Sequence, residues 1–113
     1  MAELLKQRNF SAFDLSKLQA SLYDMKLAHG TSEYLARFVG WETRSAEQQE
    51  LALFAIRTDQ GEQVRRLVFS REGKIEDPRR LKMLFALVFS RQGFVVEELA
   101  PTPQELEIVN KEL

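Results

Sequence analysis

The apolar residues near the start of the chain recur at the spacing of an amphipathic helix. Leu15, Leu18 and Leu22 lie on one face of a helical period. Ser11 stands where a helix N-cap is expected, and Gly30 suits the left-handed residue that ends a helix. This pattern predicts a helix that begins after Ser11 and ends before Gly30.

A second, shorter helix is predicted directly after the first. A hydroxyl residue at position 31 or 32 is placed to cap it, Leu35 and Phe38 recur at helical spacing, and Gly40 ends it. The two helices would form an αα-hairpin around a tight turn at residues 29–31.

Residues 45–73 fit two different structures. Residues 45–48 form a capping-box pattern ahead of a stretch rich in helix formers, which indicates a helix. The apolar run from Leu51 to Ile56 is instead typical of a buried strand, with a turn at residues 59–61 and a returning strand at residues 64–69. A strand predicted at residues 93–99 needs a neighbour for its backbone hydrogen bonds. Because the hairpin is the available neighbour, we favour it over the helix.

Two further helices have clear starts. Asp77 is placed as an N-cap and Pro78 as the first helical residue, and Gly93 ends that helix. Residues 102–105 form a second capping box, which begins a short helix reaching about Lys111. The predicted core stripe of the first of these helices consists of Leu81, Leu84, Phe85, Val88 and Phe89.

These elements predict an α+β fold in a single domain spanning residues 1–113. The order is α-α-β-β-α-β-α, with a three-stranded, mainly antiparallel sheet packed by helices. A repeated string indicates an alternative, because residues 67–73 and 87–93 agree at six of seven positions, as Leu-Val-Phe-Ser-Arg-x-Gly. If both copies are helix ends, the fold becomes mostly α-helical.

Composition is typical of one globular domain. The chain has 113 residues, of which 44% are hydrophobic, enough to build a single core. It has no cysteine, which excludes disulfides and suits a reducing compartment. The longest apolar run, residues 83–89, is far too short to cross a membrane, and the N-terminus shows no secretion signal. We therefore expect a cytoplasmic protein.

The residue types that most catalytic sites require are scarce. His29 is the one histidine, and its place at the end of the first predicted helix indicates a surface residue favoured by the helix dipole and not a catalytic base. One histidine and no cysteine also leave zinc without its usual ligands. Asp59, Glu72 and Lys74 imitate the spacing of a metal-dependent nuclease. The predicted hairpin, however, separates Asp59 from Glu72 by the length of a strand. We predict that the chain is not an enzyme, has no catalytic or metal-binding residues and uses no cofactor.

Charge is distributed unevenly along the chain, although the net charge is −1. Residues 51–91 carry nine basic and five acidic side chains, whereas residues 92–113 carry one basic and five acidic. Arginine suits bidentate recognition of phosphate or carboxylate. Internal pairing with the acidic tail is the competing explanation. The candidate partner-binding residues are Arg65, Arg66, Arg71, Arg79, Arg80 and Lys82.

By elimination, the sequence favours a small regulatory or adaptor protein that binds another protein, a second copy of the chain being one such partner. The alternative is a nucleic-acid-binding regulator, in which the αα-hairpin and the β-hairpin form a winged-helix-like frame and the arginines contact phosphates. The first hypothesis predicts an exposed apolar or mixed patch. The second predicts arginines that converge on one exposed face.

Overall fold

Residues 23–70 contain four consecutive strands joined by short turns. The computed structural model describes residues 23–111. Each strand pairs antiparallel with the next: β1 (Met25–His29), β2 (Ser32–Arg44), β3 (Gln49–Thr58) and β4 (Gly61–Ser70). Helix α1 (Pro78–Gln92), the short strand β5 (Glu98–Leu99) and helix α2 (Pro103–Lys111) follow. Because β5 pairs parallel with β4, the sheet has the order β1-β2-β3-β4-β5.

The predicted order α-α-β-β-α-β-α is wrong, and so is the mostly helical alternative. The described residues follow the order β-β-β-β-α-β-α, and the sheet is mixed, with five strands instead of three. The two predicted N-terminal helices are replaced by β1 and β2 from Met25 onward. The part of the first predicted helix at residues 11–22 lies outside the described residues.

The two helix predictions fail where they cover residues 25–39, because the apolar positions there satisfy two periods at once. At a period of two, Leu27, Ala36 and Phe38 all fall on the sheet face that α1 covers, which we call the inner face. Gly30, with φ of +63°, serves the turn between β1 and β2, where a left-handed residue is needed as much as at a helix end. The pairing of β2 with both β1 and β3 then satisfies its backbone groups, and the sequence of residues 25–44 alone does not reveal that pairing.

A β-bulge in the middle of β2 changes which side chains face inward. Phe38 pairs with Phe54, and the next pair is Gly40 with Leu53, so Val39 is the extra residue. Gly40 takes φ of +145°, a conformation that suits glycine. After the bulge, Trp41 pairs with Ala52 on the inner face. The bulge therefore places Trp41 on the same face as Phe38, although the two are three positions apart.

Other sequence predictions are confirmed. The hairpin of β3 and β4 is present, with Thr58 opposite Gly61. Helix α1 has Asp77 as its N-cap, whose side chain accepts a hydrogen bond from the backbone N–H of Arg79 at 3.2 Å. The C-terminal helix is also present, starting at residue 103. The strand predicted at residues 93–99 is reduced to two residues.

The core lies between the inner face of the sheet and α1. Phe54 of β3 stacks on Phe85 of α1, with ring centroids 3.9 Å apart. The predicted core stripe of α1 is fully or almost fully buried, and Leu99 of β5 and Val109 of α2 extend the same cluster. The cluster also includes Leu27, Ala36, Ala52, Ile56, Leu67 and Phe69.

Candidate binding pocket

A small cavity opens between the bulged strand β2 and the first turns of α1. Phe38 and Trp41 form its sheet side. The cavity measures about 50 Å³. A water molecule takes roughly 30 Å³ in the liquid, so this space fits a small alkyl group rather than a nucleotide or a cofactor. We call it the Trp41 pocket; it is lined by Phe38, Trp41, Glu76, Pro78, Leu81 and Lys82.

The aromatic wall of the Trp41 pocket is held rigidly by the core beneath it. Phe38 contacts Trp41 at 5.8 Å between ring centroids and Phe54 at 5.5 Å. Trp41 in turn packs on Phe69 of β4, at 5.9 Å. Both wall residues are half-buried, so each presents part of its ring to the pocket while the rest is fixed by neighbours.

The opposite wall follows from how α1 starts. Asp77 caps the helix and Pro78 occupies its first turn, which brings Leu81 and Lys82 onto the side that faces β2. Leu81 is 2% exposed and forms the floor. Glu76, whose side chain is 75% exposed, stands at the mouth. The pocket is therefore apolar inside and charged at its opening.

The charges around the opening are balanced in sign. Lys82 Nζ lies 2.7 Å from Asp24 Oδ2, and Arg80 Nε lies 3.9 Å from Asp77 Oδ2. Another ammonium group, that of Lys74, lies close to Glu76. Because the cations here have carboxylate neighbours, the opening does not favour a ligand of either charge.

The six predicted partner-binding residues do not form one surface. Arg79, Arg80 and Lys82 lie in the first two turns of α1, and Lys82 lines the Trp41 pocket. Arg71 follows the end of β4. Arg66 points to the outer face, opposite α1, where its Nε lies 2.9 Å from Glu42 Oε1. The predicted set is thus divided among separate parts of the structure.

The sixth member, Arg65, is a structural residue. It is 9% exposed, and its guanidinium donates to the carbonyl oxygen of Val64 at 2.9 Å and to that of Phe94 at 3.3 Å. The guanidinium carbon also lies 5.4 Å from the centroid of the Phe94 ring. These contacts fill the gap between β4 and the segment that precedes β5. Arg65 therefore lies at a sheet edge with its guanidinium bonded within the fold.

A group of exposed valines surrounds this closed edge. Val64 is 40% exposed, Val96 is 38% exposed and Val95 is 84% exposed. The segment that carries Val95 and Val96 runs beside β4, because Arg66 N–H donates to the carbonyl of Glu97 at 2.9 Å. This valine patch is a second apolar surface of the protein.

The nuclease-like residues lie at opposite ends of the sheet. Asp59 is in the turn between β3 and β4, whereas Glu72 and Lys74 follow the end of β4, ten residues of strand away. At about 3.3 Å per residue the separation is roughly 30 Å. Within residues 23–111, no three histidine, cysteine or carboxylate side chains are grouped as metal ligands.

His29 lies at the end of β1, not at the end of the helix that the sequence predicts there. Its Nδ1 is 3.2 Å from the carbonyl oxygen of Ser90, and its ring packs edge-on against Phe89. His29 therefore connects β1 to the last turn of α1.

Within residues 23–111, the carboxylates whose pKa values are shifted do not line the Trp41 pocket. A hydrogen bond from Tyr23 lowers the pKa of Glu62, and Arg37 lowers it further. Burial raises the pKa of Tyr23, with the hydrogen bond to Glu62 adding to the effect. Hydrogen bonds from arginines likewise lower the pKa of Glu98 and Glu105. Each of the three carboxylates forms an ion pair with an arginine of another strand or helix, which is a structural role.

Phe38 and Trp41, the aromatic wall of the pocket, were not candidates from the sequence. Phe38 looks like a core position of the short predicted helix, and Trp41 follows Gly40, where that helix was predicted to end. The one available signal is Gly40 between them, because a glycine inside a strand often marks a bulge. That signal becomes useful only after residues 32–44 are recognised as a strand.

Comparison with known proteins adds no functional information. The chain matches no protein-family model, no curated protein and no solved structure. Among the described residues, neither helix is long and apolar enough to cross a membrane.

Proposed function

We propose that this chain is a non-enzymatic regulatory or adaptor protein of the cytoplasm, and that it binds a partner protein by accepting one small apolar side chain in the Trp41 pocket. The observation that supports this proposal most directly is the form of the pocket. An apolar interior with a few charged groups at its opening is the usual character of a site that anchors a single side chain.

The size of the cavity supports a single small anchor. A space of about 50 Å³ accepts the end of a valine or leucine side chain, whose burial supplies binding energy through the hydrophobic effect. Balanced charges at the opening favour a neutral anchor, since neither sign gains an unpaired partner there.

Nucleic-acid binding remains the alternative function. Its main requirement is a set of cations on one exposed face, and the divided positions of Arg65, Arg66 and Arg79 give it little support. Fluorescence anisotropy with labelled DNA and RNA at about 50 and 200 mM salt tests it directly. We expect no binding at low salt; binding that falls steeply with salt would favour this alternative.

The anchor proposal is tested by NMR titration of the full chain with N-acetyl-valinamide, with N-acetyl-glycinamide as the control that lacks a side chain. We expect weak, millimolar binding of the valine compound, because a single anchor has few atoms to contribute. The largest shifts should fall on the indole N–H of Trp41, the one tryptophan of the chain, and on Leu81. Shifts centred on Val95 and Val96 instead would move the proposed site to the valine patch.

A variant that fills the pocket provides a second test of the anchor proposal. Leu81→Phe should place its larger ring into the cavity and abolish binding of N-acetyl-valinamide. Leu87→Phe is the matched control, since Leu87 lies on the same helix, is half-buried and does not line the pocket. Unchanged affinity in Leu81→Phe, with the variant shown to be folded, would refute the proposed site.

A further inference from the structure

The ammonium group of Lys74 is enclosed by three groups from different parts of the fold. Lys74 Nζ lies 4.2 Å from the centroid of the Trp41 ring on β2. It also lies 3.8 Å from Glu50 Oε1 on β3 and 3.9 Å from Glu76 Oε2, on the connection to α1. An aromatic face and two carboxylates are the groups that stabilise an ammonium ion best. We call this arrangement the Lys74 cage.

The Lys74 cage shares two residues with the Trp41 pocket. Trp41 and Glu76 each contact Lys74 and also line the cavity. The side chain of Lys74 is only 23% exposed and that of Glu50 is 14% exposed, so this part of the contact is shielded from solvent. A charge pair with this burial holds its geometry better than a surface pair does.

The segment that carries Lys74 has few other constraints. Gly73 N–H donates to the carbonyl and to the hydroxyl of Ser70, and these bonds fix the chain as it leaves β4. Residues 74–77 then form no regular structure before Asp77 caps α1. Ile75 is only half-buried against the core. Within residues 23–111, the cage is therefore the main polar contact that fixes the position of residues 74–76 against the sheet.

We propose that Lys74 is a positioning residue for the Trp41 pocket: its ammonium group ties the β4–α1 connection to Trp41 and Glu50 and so sets the wall that Glu76 and Pro78 provide. Its role in binding rests on the proposed function. Loss of the charge on Lys74 frees Glu76 and loosens that wall, so ligand affinity falls although Lys74 does not line the cavity.

The first test measures the cage without any ligand. A lysine over an indole ring has its ε-CH2 protons shifted upfield by the ring current, so these protons of Lys74 should resonate clearly upfield of those of Lys26. Lys26 is exposed on β1, where it pairs with Leu35 on the outer face. Equal shifts for the two lysines would overturn the proposal.

The second test removes the charge. Lys74→Gln should lower the backbone order parameters of residues 75–77 and weaken binding of N-acetyl-valinamide by at least threefold. Lys74→Arg keeps a cation that binds both aromatic faces and carboxylates, so it should stay within twofold of the unmodified chain. Lys26→Gln is the matched control and should change neither quantity. If Lys74→Gln leaves the order parameters unchanged, or leaves unchanged the affinity of a chain that binds the probe, the proposal is refuted.

The two proposals fail in different ways. If the unmodified chain does not bind N-acetyl-valinamide, the proposed function is wrong. The ring-current shift and the order parameters of residues 75–77 in Lys74→Gln then decide alone whether Lys74 positions the wall. If the chain binds the probe and Lys74→Gln binds it equally well, the pocket stands and the positioning role is overturned.

Discussion

The same six residue types fold into a strand in one part of this protein and into a helix in another. Residues 67–73 and 87–93 differ only at positions 72 and 92, yet the first copy ends β4 and the second ends α1. In the strand, Leu67 and Phe69 face the core and Val68 between them faces outward. In the helix, Val88 and Phe89 are both fully buried, although they are adjacent.

Neighbours outside the string decide between the two structures. Leu67 lies between Ala52 of β3 and Leu99 of β5, so strand partners on both sides satisfy its backbone. The second copy follows the cap at Asp77 and the apolar positions Leu81 and Leu84, which already commit the chain to a helix. Local propensity leaves such a string undecided, and the tertiary partners or an upstream cap settle it.

The largest expected effect comes from the phenylalanine that both copies share. Phe69→Ala and Phe89→Ala should each lower the free energy of unfolding by about 3–5 kcal/mol, because each ring is almost fully buried in the same core cluster. Chemical denaturation monitored by circular dichroism measures both values. A small loss for either variant would mean that the two copies do not share one core.

Substitution of the glycine that ends each copy should have a different effect on stability in the two copies. Gly93 has φ of +61°, and a Cβ there would lie 2.6 Å from the His29 ring. Gly93→Ala should therefore lower the free energy of unfolding by about 2–3 kcal/mol through backbone strain and steric conflict.

Gly73→Ala is the matched control for that prediction. Its Cβ would meet only the hydroxyl of Ser70, at 2.9 Å. This exposed side chain can rotate away at the cost of the hydrogen bond it accepts from Gly73 N–H, while the bond from that N–H to the Ser70 carbonyl remains. We expect a loss below about 1 kcal/mol. Thermal unfolding of the two variants in parallel checks the difference, and equal losses would contradict the helix-end conformation of Gly93.

Substitution of the valine in each copy tests whether its side chain faces the core or the outer face of the sheet. Val88 is fully buried in α1, so Val88→Thr places a hydroxyl in the core and should cost about 1–3 kcal/mol. Val68 is half-buried on the outer face of β4, where threonine is a good strand former, so Val68→Thr should change stability by less than about 0.5 kcal/mol. Denaturant midpoints of the two variants give the comparison.

The sequence predicts the parts of the fold whose signals are local. The caps at Asp77 and Thr102 define α1 and α2, and the run Leu51–Ile56 with the turn at residues 59–61 defines the β3–β4 hairpin. The sequence does not predict β1 and β2, because the spacing of the apolar residues on either side of the turn at residues 29–31 fits helices equally well. Their strand character depends on pairing with β3, which is distant in sequence.

The pocket was less predictable than the fold. Trp41 reaches the inner face only because the bulge at Val39 shifts the register, and Leu81 meets it only because α1 packs across the sheet. The predicted basic set includes Lys82, which lines the Trp41 pocket, but the distribution of charge along a chain does not show which cations the fold buries. Arg65 is the clearest example.

The arginine of each copy gives the smallest expected effect, and it depends on pH. Arg91 makes two hydrogen bonds of 2.9 Å to the carboxylate of Glu105 and one of 3.1 Å to the carbonyl of Ala100. Arg71 has no ion-pair partner within residues 23–111, and only its backbone N–H is bonded, to the carbonyl of Gln48. Arg91→Ala should therefore cost about 0.5–1 kcal/mol at pH 7, and Arg71→Ala should cost less.

The sign of the pH dependence follows from Glu105. The hydrogen bond from Arg91 holds the pKa of Glu105 below its ordinary value in the folded protein. A lowered pKa contributes stability above the unfolded value of about 4.3, and this contribution is lost as the pH falls through the lower, folded value. The cost of Arg91→Ala, measured by denaturation from pH 7 to pH 2, should shrink over that acidic range, whereas the cost of Arg71→Ala should stay constant. A constant cost for Arg91→Ala would show that its contacts with Ala100, and not the ion pair with Glu105, stabilise the end of the second copy.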